Sequence, residues 1–150
     1  MQIRAAEPAD SSEWLRMPSA LWPGSREGEH AAEIDAFFRG LPEGSPPLAA
    51  VLVSPGAEGG LCGFLELSVR SYAEGCSGPA PYIEGWYVDR QVRGRGIGGA
   101  LVQAAEQWAR TQGYTEIASD TELKNQASQR AHQALGFEEV ERTVHFRKAL

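Results

Sequence analysis

The chain of 150 residues lacks features that define several classes of protein. Its two cysteines, Cys62 and Cys76, have no metal-type spacing such as C-x-x-C, which indicates two free thiols in a reducing compartment. No apolar run approaches the roughly 18 residues of a membrane span. Residues 1–20 contain no apolar stretch of the length found in signal peptides. We therefore expect a cytoplasmic protein with no targeting segment and no metal site.

Positive charge is also scarce, with 14 Lys and Arg against 20 Asp and Glu and a net charge of −6. This balance argues against a protein that coats DNA or RNA, and against a polybasic protein of membrane surfaces. The excess of acids lies in residues 7–84, which hold twelve acids and four arginines, whereas residues 87–150 hold eight acids and nine bases. The asymmetry indicates either two surfaces with different partners or acids that only keep the protein soluble.

The length and the 42% content of hydrophobic residues predict one globular domain over residues 1–150. No internal repeat, low-complexity tract or long linker divides the chain. Hydrophobic periodicity predicts strands over residues 2–5, 48–53, 61–69, 82–88, 116–119 and 140–147. Helices are predicted from an N-cap at Asp10 or Ser11 to Leu21, and over residues 29–40, 97–112 and 125–135. This order implies a mixed sheet with helices packed on it.

Three details of these elements can be tested against a structure. Pro18 lies inside the first helical pattern and predicts a kink or a stop there. The strands at 48–53 and 61–69 are expected to form a hairpin. Gly85 lies within the strand at 82–88 and predicts a β-bulge or a close backbone approach.

The strongest chemical signal is the glycine-rich segment between Val88 and Gly99, which lies between a strand and the clearest helix. Glycines allow backbone N–H groups to approach a ligand closely, and a helix N-terminus favours negative charge. Arg93 and Arg95 add full positive charges there. The segment therefore predicts an anion site, the alternative being a tight turn that needs glycine for positive φ.

Gly94, Gly96 and Gly99 spell G-x-G-x-x-G, the fingerprint of dinucleotide-binding folds. The match is weak, because five mostly polar residues separate Val88 from the first glycine and that fold has its first glycine almost directly after the strand. A Walker A loop is excluded, because no Gly-Lys-Ser/Thr follows.

Arg93-x-x-Gly96-x-Gly98, with Asn125 and Gly136-Phe137 downstream, resembles the GCN5-related N-acetyltransferases (GNAT). The resemblance implies an α/β (α+β) fold with a mixed central sheet flanked by helices on both faces. It also implies acetyl-CoA as cosubstrate, with the loop amides on the pyrophosphate and a backbone N–H near Val88 as the donor to the thioester oxygen. The residues it assigns to coenzyme A are Trp86, Tyr87, Val88, Arg93, Gly94, Arg95, Gly96, Ile97, Gly98, Gly99 and Asn125.

Dispersed segments at 21–24, 84–85, 118–121 and 132–139 are similar to those of aminoglycoside 6′-N-acetyltransferases. This narrower resemblance implies acetyl transfer to the 6′-amino group of a polycationic aminosugar, antibiotic resistance and a homodimer. Two alternatives stay open. One is an acetyltransferase for another polyamine or a peptide N-terminus, and the other is an acyl-CoA-binding module without turnover.

Acetyl transfer needs a neutral amine, so a carboxylate near the reacting nitrogen has a clear use. Glu84 is the best candidate, since it precedes Val88 by four residues in one strand and alternation is expected to bring both to one face. The alternative is an edge-strand glutamate that faces water. The resemblance points to Glu84 as well, and to Tyr72 in the preceding loop.

Other candidate residues bind the substrate. Asp120 ends a strand at the edge where ligands gather, although aspartate also favours caps and turns. The resemblance adds Glu141, and it adds Trp22, which could equally be a core tryptophan. His132 stands where many relatives carry a tyrosine that protonates the departing thiolate, so it is either the acid or a packed helix residue.

Overall fold

The computed structural model describes residues 2–24, 27–42, 44 and 46–150, in which five strands form one sheet between helices. The strands are β1 (Arg4–Ala5), β2 (Leu48–Pro55), β3 (Leu61–Arg70), β4 (Ala80–Val88) and β5 (Ala118–Ser119). The α-helices are α1 (Ser11–Leu21), α2 (Glu27–Arg39), α3 (Ile97–Thr111) and α4 (Gln126–Ala134). In the described ranges no helix is both long enough and apolar enough to cross a membrane.

The sheet has the order β1-β2-β3-β4-β5 and is mixed, as predicted. Strands β1 to β4 pair antiparallel, and β5 pairs parallel with β4. The hairpin between β2 and β3 is confirmed. So is the bulge near Gly85: Glu66 pairs with Gly85 while Leu67 pairs with Ile83, so Glu84 is the extra residue of β4.

Helices cover both faces of the sheet, which confirms the expected layers. On one face α3 buries a cluster with β3 and β4 that contains Leu65, Leu67, Ile83, Leu101, Val102 and Ala105. On the other face α1 and α2 bury Trp14, Met17, Ile34, Val51, Val53 and Phe64. Alternation along β3 explains the two layers, since successive side chains point to opposite faces.

Two features of the start of the chain bear on the prediction, since the helix does not stop at Pro18 and the Asp10 carboxylate has a different partner from the helix amides. α1 continues through Pro18 to Leu21, and Trp14 and Met17 are both fully buried in this helix. Their burial stabilises the turns before the proline, which outweighs the one backbone hydrogen bond that proline removes. Asp10 is the N-cap residue of α1, as predicted, but its carboxylate makes no capping hydrogen bond to the helix. It accepts instead from Arg4 at 2.7 and 2.9 Å and from the Glu7 amide at 2.7 Å.

The predicted strand at residues 140–147 is wrong. In the structure, residues 138–150 are exposed and form no helix or strand. Their alternating apolar residues suit a strand, but a strand needs a partner edge for its backbone groups, and within the described part of the chain this segment pairs with none.

Candidate active site

A cleft of about 780 Å³ opens where β4 and β5 diverge. Their pairing covers only Tyr82 with Ala118 and Ile83 with Ser119, so the rest of β4 is free on that side to line the cleft. The predicted site residues that line it are Trp22, Glu84, Trp86, Tyr87, Val88, Arg93, Gly94, Gly96, Ile97, Gly98, Asp120, Asn125 and His132. The structure thus brings most of the candidates from both halves of the chain into one cleft.

The glycine-rich loop has the backbone geometry of an anion site. Gly94 and Gly96 have φ of 79° and 83°, in the left-handed region that other residues avoid. Gly96 is the N-cap of α3, so the free amides of the first helical turn lie at the cleft. Those amides and the helix dipole favour a phosphate group.

Close packing explains a third glycine. The indole Nε1 of Trp86 donates to the Gly98 carbonyl at 3.2 Å, and a Cβ at position 98 would lie 3.3 Å from the Trp86 ring. A Cβ at position 99 would not meet Trp86; its nearest neighbour would be the Leu135 side chain, at 3.4 Å. Gly99 and Arg95 do not line the cleft, so their assignment to coenzyme A stays a prediction.

Arg93 bends back over the end of β4. Its Nε donates to the Val88 carbonyl at 2.7 Å, and its guanidinium lies 5.4 Å from the centre of the Tyr87 ring. This contact holds a positive charge at the entrance of the loop, where it strengthens the attraction for a phosphate.

On the other wall, α4 begins at the cleft. The Asn125 side chain caps it by accepting from the Ser128 amide at 3.0 Å. His132 lies 2.7 Å from the Ser128 carbonyl through Nδ1 and 2.8 Å from the Ser119 hydroxyl through Nε2. Because a carbonyl can only accept, Nδ1 carries a proton. The ring also packs edge-on against Trp86, with ring centres 5.2 Å apart.

Glu84 is already paired. Its two carboxylate oxygens accept from Arg70 Nε and Nη2 at 3.0 and 2.9 Å, and the Ser68 hydroxyl donates to the same carboxylate. The expectation that Glu84 and Val88 share a face is wrong. Val88 packs against the cluster under α3, whereas Glu84 lies with Ser68 on the opposite face, because the extra residue in the bulge shifts the alternation.

Arg70 links Glu84 to Asp120 through one aromatic ring. Its guanidinium carbon lies 3.6 Å from the centre of the Tyr82 ring, and the Tyr82 hydroxyl donates to Asp120 at 2.7 Å. Burial, followed by the neighbouring Asp120 carboxylate, raises the pKa of Tyr82. One carboxylate oxygen of Asp120 thus accepts from the Tyr82 hydroxyl, and the carboxylate also lines the cleft, where it can accept from a ligand.

A third carboxyl lies below the floor of the site. Glu66 is buried on β3 and accepts from the Trp14 indole at 2.8 Å. The pKa of Glu66 is raised to about 7, mainly by burial; the Trp14 hydrogen bond opposes this rise, and the nearby acids Glu33 and Glu84 contribute to it. A Cβ on Gly85 would lie 2.8 Å from its carboxylate, so glycine at this point of the bulge lets the carboxyl approach the strand.

Trp22 lies at the cleft and not in the core, which leaves Trp14 as the core tryptophan of α1. Trp22 is 37% exposed and stacks on His30 with ring centres 5.6 Å apart. Its ring also reaches the bulge, since a Cβ on Gly85 would lie 3.0 Å from it.

Two residues predicted to bind the substrate lie apart from the cleft lining. Tyr72 is 70% exposed in the loop that follows β3. Glu141 belongs to the exposed C-terminal segment, where its carboxylate accepts from the Thr143 hydroxyl at 3.4 Å. Their roles toward a substrate stay predictions.

The match to known proteins decides the family. The model of the acetyltransferase (GNAT) family matches residues 12–137. The chain belongs to the GNAT acetyltransferases. It is similar to an aminoglycoside N(6′)-acetyltransferase type 1 of Klebsiella aerogenes, with 49% identity over 99% of this chain and 96% of that protein. The corresponding protein of Stenotrophomonas maltophilia is 37% identical over 99% of this chain and 93% of its own length.

Solved structures agree with this assignment. AAC(6′)-Iy in complex with the bisubstrate analogue CoA-S-monomethyl-acetylneamine has a TM-score of 0.86 and 34% identity, covering 99% of this chain and 98% of that one. The 6′-N-acetyltransferase AAC(6′)-IG of Acinetobacter haemolyticus has a TM-score of 0.84 and 32% identity, covering 100% and 99%. The fold and the family expected from the sequence are therefore confirmed.

The cleft of this GNAT acetyltransferase fits coenzyme A. Two left-handed glycines and a helix N-terminus suit the pyrophosphate, and the free edge of β4 suits an extended chain with amide groups. Among the described residues, no group of three His, Cys, Asp or Glu side chains could hold a metal ion.

Sequence reasoning missed Ser68, Arg70, Tyr82, Glu66 and Ser119. A signal for three of them was present. Phe64, Glu66, Ser68 and Arg70 alternate with apolar residues along β3, a pattern that places three polar side chains on one face. Nothing in the sequence indicates that the bulge in β4 brings Glu84 to that face.

Proposed function

We propose that this chain transfers the acetyl group of acetyl-CoA to the 6′-amino group of aminoglycoside antibiotics and so confers resistance to them. One observation carries the proposal: Glu84, Asp120 and Trp22 line the same cleft as the glycine-rich loop. Carboxylates suit a polycationic aminosugar, and the loop suits a pyrophosphate. The named activity of relatives up to 49% identical over nearly the whole chain supports it.

The reaction is a direct attack of the amine nitrogen on the thioester carbon. A C–N bond forms, the C–S bond breaks, and coenzyme A leaves as the thiolate. The proton of the amine passes to Glu84, directly or through one water molecule. A backbone N–H of the free β4 edge near Val88 stabilises the oxyanion that develops on the carbonyl.

The departing thiolate takes a proton from His132 Nε2, directly or relayed by the Ser119 hydroxyl. Both residues line the cleft and are joined by a 2.8 Å contact. With this role, His132→Gln lowers kcat and leaves the KM for acetyl-CoA unchanged. An unchanged kcat would identify His132 as a packing residue beside Trp86.

Trp22, Tyr72, Asp120 and Glu141 bind the aminosugar in this proposal, with Trp22 as a wall of the cleft and the carboxylates on its ammonium groups. Arg95 and Gly99 complete the loop around the pyrophosphate. Residues 1–150 act as one acetyltransferase domain in the cytoplasm, where acetyl-CoA is available and the free thiols of Cys62 and Cys76 stay reduced.

The test measures thiol release from acetyl-CoA with kanamycin and tobramycin. Glu84→Gln is expected to lower the rate at least about tenfold, whereas the control Glu106→Gln, on α3 outside the cleft lining, leaves it unchanged. If no aminoglycoside of a panel is acetylated but another polyamine or a peptide N-terminus is, the proposed substrate class is wrong. Binding of acetyl-CoA without any turnover would indicate the non-catalytic module. Growth on a drug gradient, with and without the gene, tests resistance.

We also propose a homodimer, in which a second copy covers the C-terminal segment. Val140, Val144 and Phe146 are 59%, 65% and 93% exposed, and they alternate as the residues of a strand do. Sedimentation is expected to show a dimer, and the double variant Val144→Asp and Phe146→Asp a monomer. Leu41→Asp, at another exposed apolar residue, is the control. A monomeric unmodified protein would overturn this proposal.

A further inference from the structure

Arg70 pairs with Glu84, the carboxylate of the cleft to which the proposed function assigns the substrate amine. Its guanidinium donates two parallel hydrogen bonds to Glu84, at 3.0 and 2.9 Å. The side chains are one-third and one-quarter exposed, so water screens the pair only in part. This bidentate pairing is the geometry in which a carboxylate binds a cation most strongly.

The surroundings of Arg70 are those of a cation-binding site. The face of Tyr82 lies 3.6 Å from the guanidinium carbon and attracts positive charge through its ring electrons. Asp120 lies at the hydroxyl end of that ring and accepts from the hydroxyl at 2.7 Å. Glu84 and Asp120, which both line the cleft, would attract a substrate ammonium group as well.

Resting on the proposed function, we propose that Arg70 determines specificity: in the free protein it occupies Glu84 as an internal competitor, and a ligand must carry several ammonium groups to displace it. A ligand with one amine exchanges one cation for another on Glu84 and gains little. A ligand with further amines also engages Asp120 and other acids of the cleft, which offsets the loss of the Arg70 contact.

A competing explanation is that Arg70 only orients Glu84 for the reaction. The two explanations differ in what happens when the charge is removed. If Arg70 competes, Arg70→Gln improves the binding of single amines more than that of polyamines. If it orients Glu84, the same variant lowers kcat/KM for both by one factor.

The kinetic test compares tobramycin with 6-amino-6-deoxyglucose, which offers one primary amine. In Arg70→Gln the ratio of kcat/KM for tobramycin to that for the single amine is expected to fall about fivefold, through a lower KM for the single amine. Arg70→Lys keeps the charge and is expected to retain most of the ratio. Arg39→Gln, which removes an exposed pair with Asp35 on α2, is the control and leaves the ratio unchanged.

A binding test does not depend on turnover. The Nε–H resonance of Arg70 in a ¹⁵N-labelled protein, assigned by its loss in Arg70→Lys, reports the pairing with Glu84. Tobramycin is expected to shift it at saturation, whereas 6-amino-6-deoxyglucose at equal amine concentration shifts it far less. A resonance that neither ligand moves, or a ratio of kcat/KM unchanged in Arg70→Gln, would overturn the inference. Absence of acetyl transfer with a shifted resonance would instead overturn the proposed function and leave the role of Arg70 intact.

Discussion

The Trp14 indole donates a 2.8 Å hydrogen bond to the buried carboxyl of Glu66, and so ties α1 to the strand below the site. A buried carboxyl with a neutral donor is costly to ionise. Burial is accordingly the main cause that raises the pKa of Glu66 from 4.5 to about 7. The folded protein holds this proton more tightly than the unfolded chain does.

Stability is expected to depend on pH through this group. Its contribution is complete below pH 4.5 and declines as the pH rises through 7, because ionisation is easier in the unfolded chain. The full difference is about 3 kcal/mol at about 1.4 kcal/mol per pKa unit. Urea unfolding at pH 5 and pH 8 is expected to show most of this loss, and Glu66→Gln is expected to remove it. Glu58→Gln, in the exposed turn between β2 and β3, is the control; equal losses in both variants would contradict the assignment.

Gly85 is expected to tolerate no side chain. A Cβ there would lie 2.8 Å from the Glu66 carboxylate and 3.0 Å from both Phe64 and Trp22. Gly85→Ala is expected to lower the free energy of unfolding by about 1–3 kcal/mol, through overpacking, and to raise the KM for the amine. Gly28→Ala on α2 has nothing within 4 Å and is expected to be neutral or slightly stabilising. Thermal unfolding and steady-state kinetics would show the difference, and an unchanged Gly85→Ala variant would contradict the packing.

Two glycines with positive φ allow the backbone strain caused by a side chain to be distinguished from an effect on cofactor binding. Gly96 and Gly113 both have positive φ, 83° and 89°, but only Gly96 lines the cleft. Alanine at either position is expected to cost about 1 kcal/mol of stability, for the same backbone reason. Only Gly96→Ala is expected to raise the KM for acetyl-CoA, by about tenfold or more, because it tilts the amides that face the phosphate. Equal KM values for acetyl-CoA in the two variants would show that the loop does not bind the cofactor.

A paired charge joins α1 to the end of β4. Arg16 donates to both oxygens of the buried Asp89 at 3.0 and 2.9 Å, and to the Leu61 carbonyl at 3.0 Å. Arg16→Met leaves the Asp89 carboxylate buried without this partner and is expected to lower the free energy of unfolding by about 2 kcal/mol. Arg39→Met, which removes an exposed pair with Asp35, is expected to cost less than about 0.5 kcal/mol. Denaturant unfolding that gives equal values for the two variants would show that burial of Asp89 does not set the cost.

Much of the fold follows from the sequence alone. The elements with strong periodicity, such as α3 and the β2–β3 hairpin, form within a residue or two of the predicted bounds. Local signals suffice there, because the pattern of buried side chains and the turn residues agree. The glycine loop was predictable for the same reason: backbone freedom and a helix N-terminus are local properties.

Tertiary structure decided what local patterns leave open. α1 continues through Pro18 because Trp14 and Met17 find a core, and residues 138–150 form no strand because they pair with no edge in the described part of the chain. Glu84 was identifiable as a candidate, but its face and its partner Arg70 depend on a bulge that only pairing with β3 reveals. The sequence determined which groups are present, whereas the register between strands determined which charges meet, because a shift of one residue moves a side chain to the other face of a sheet.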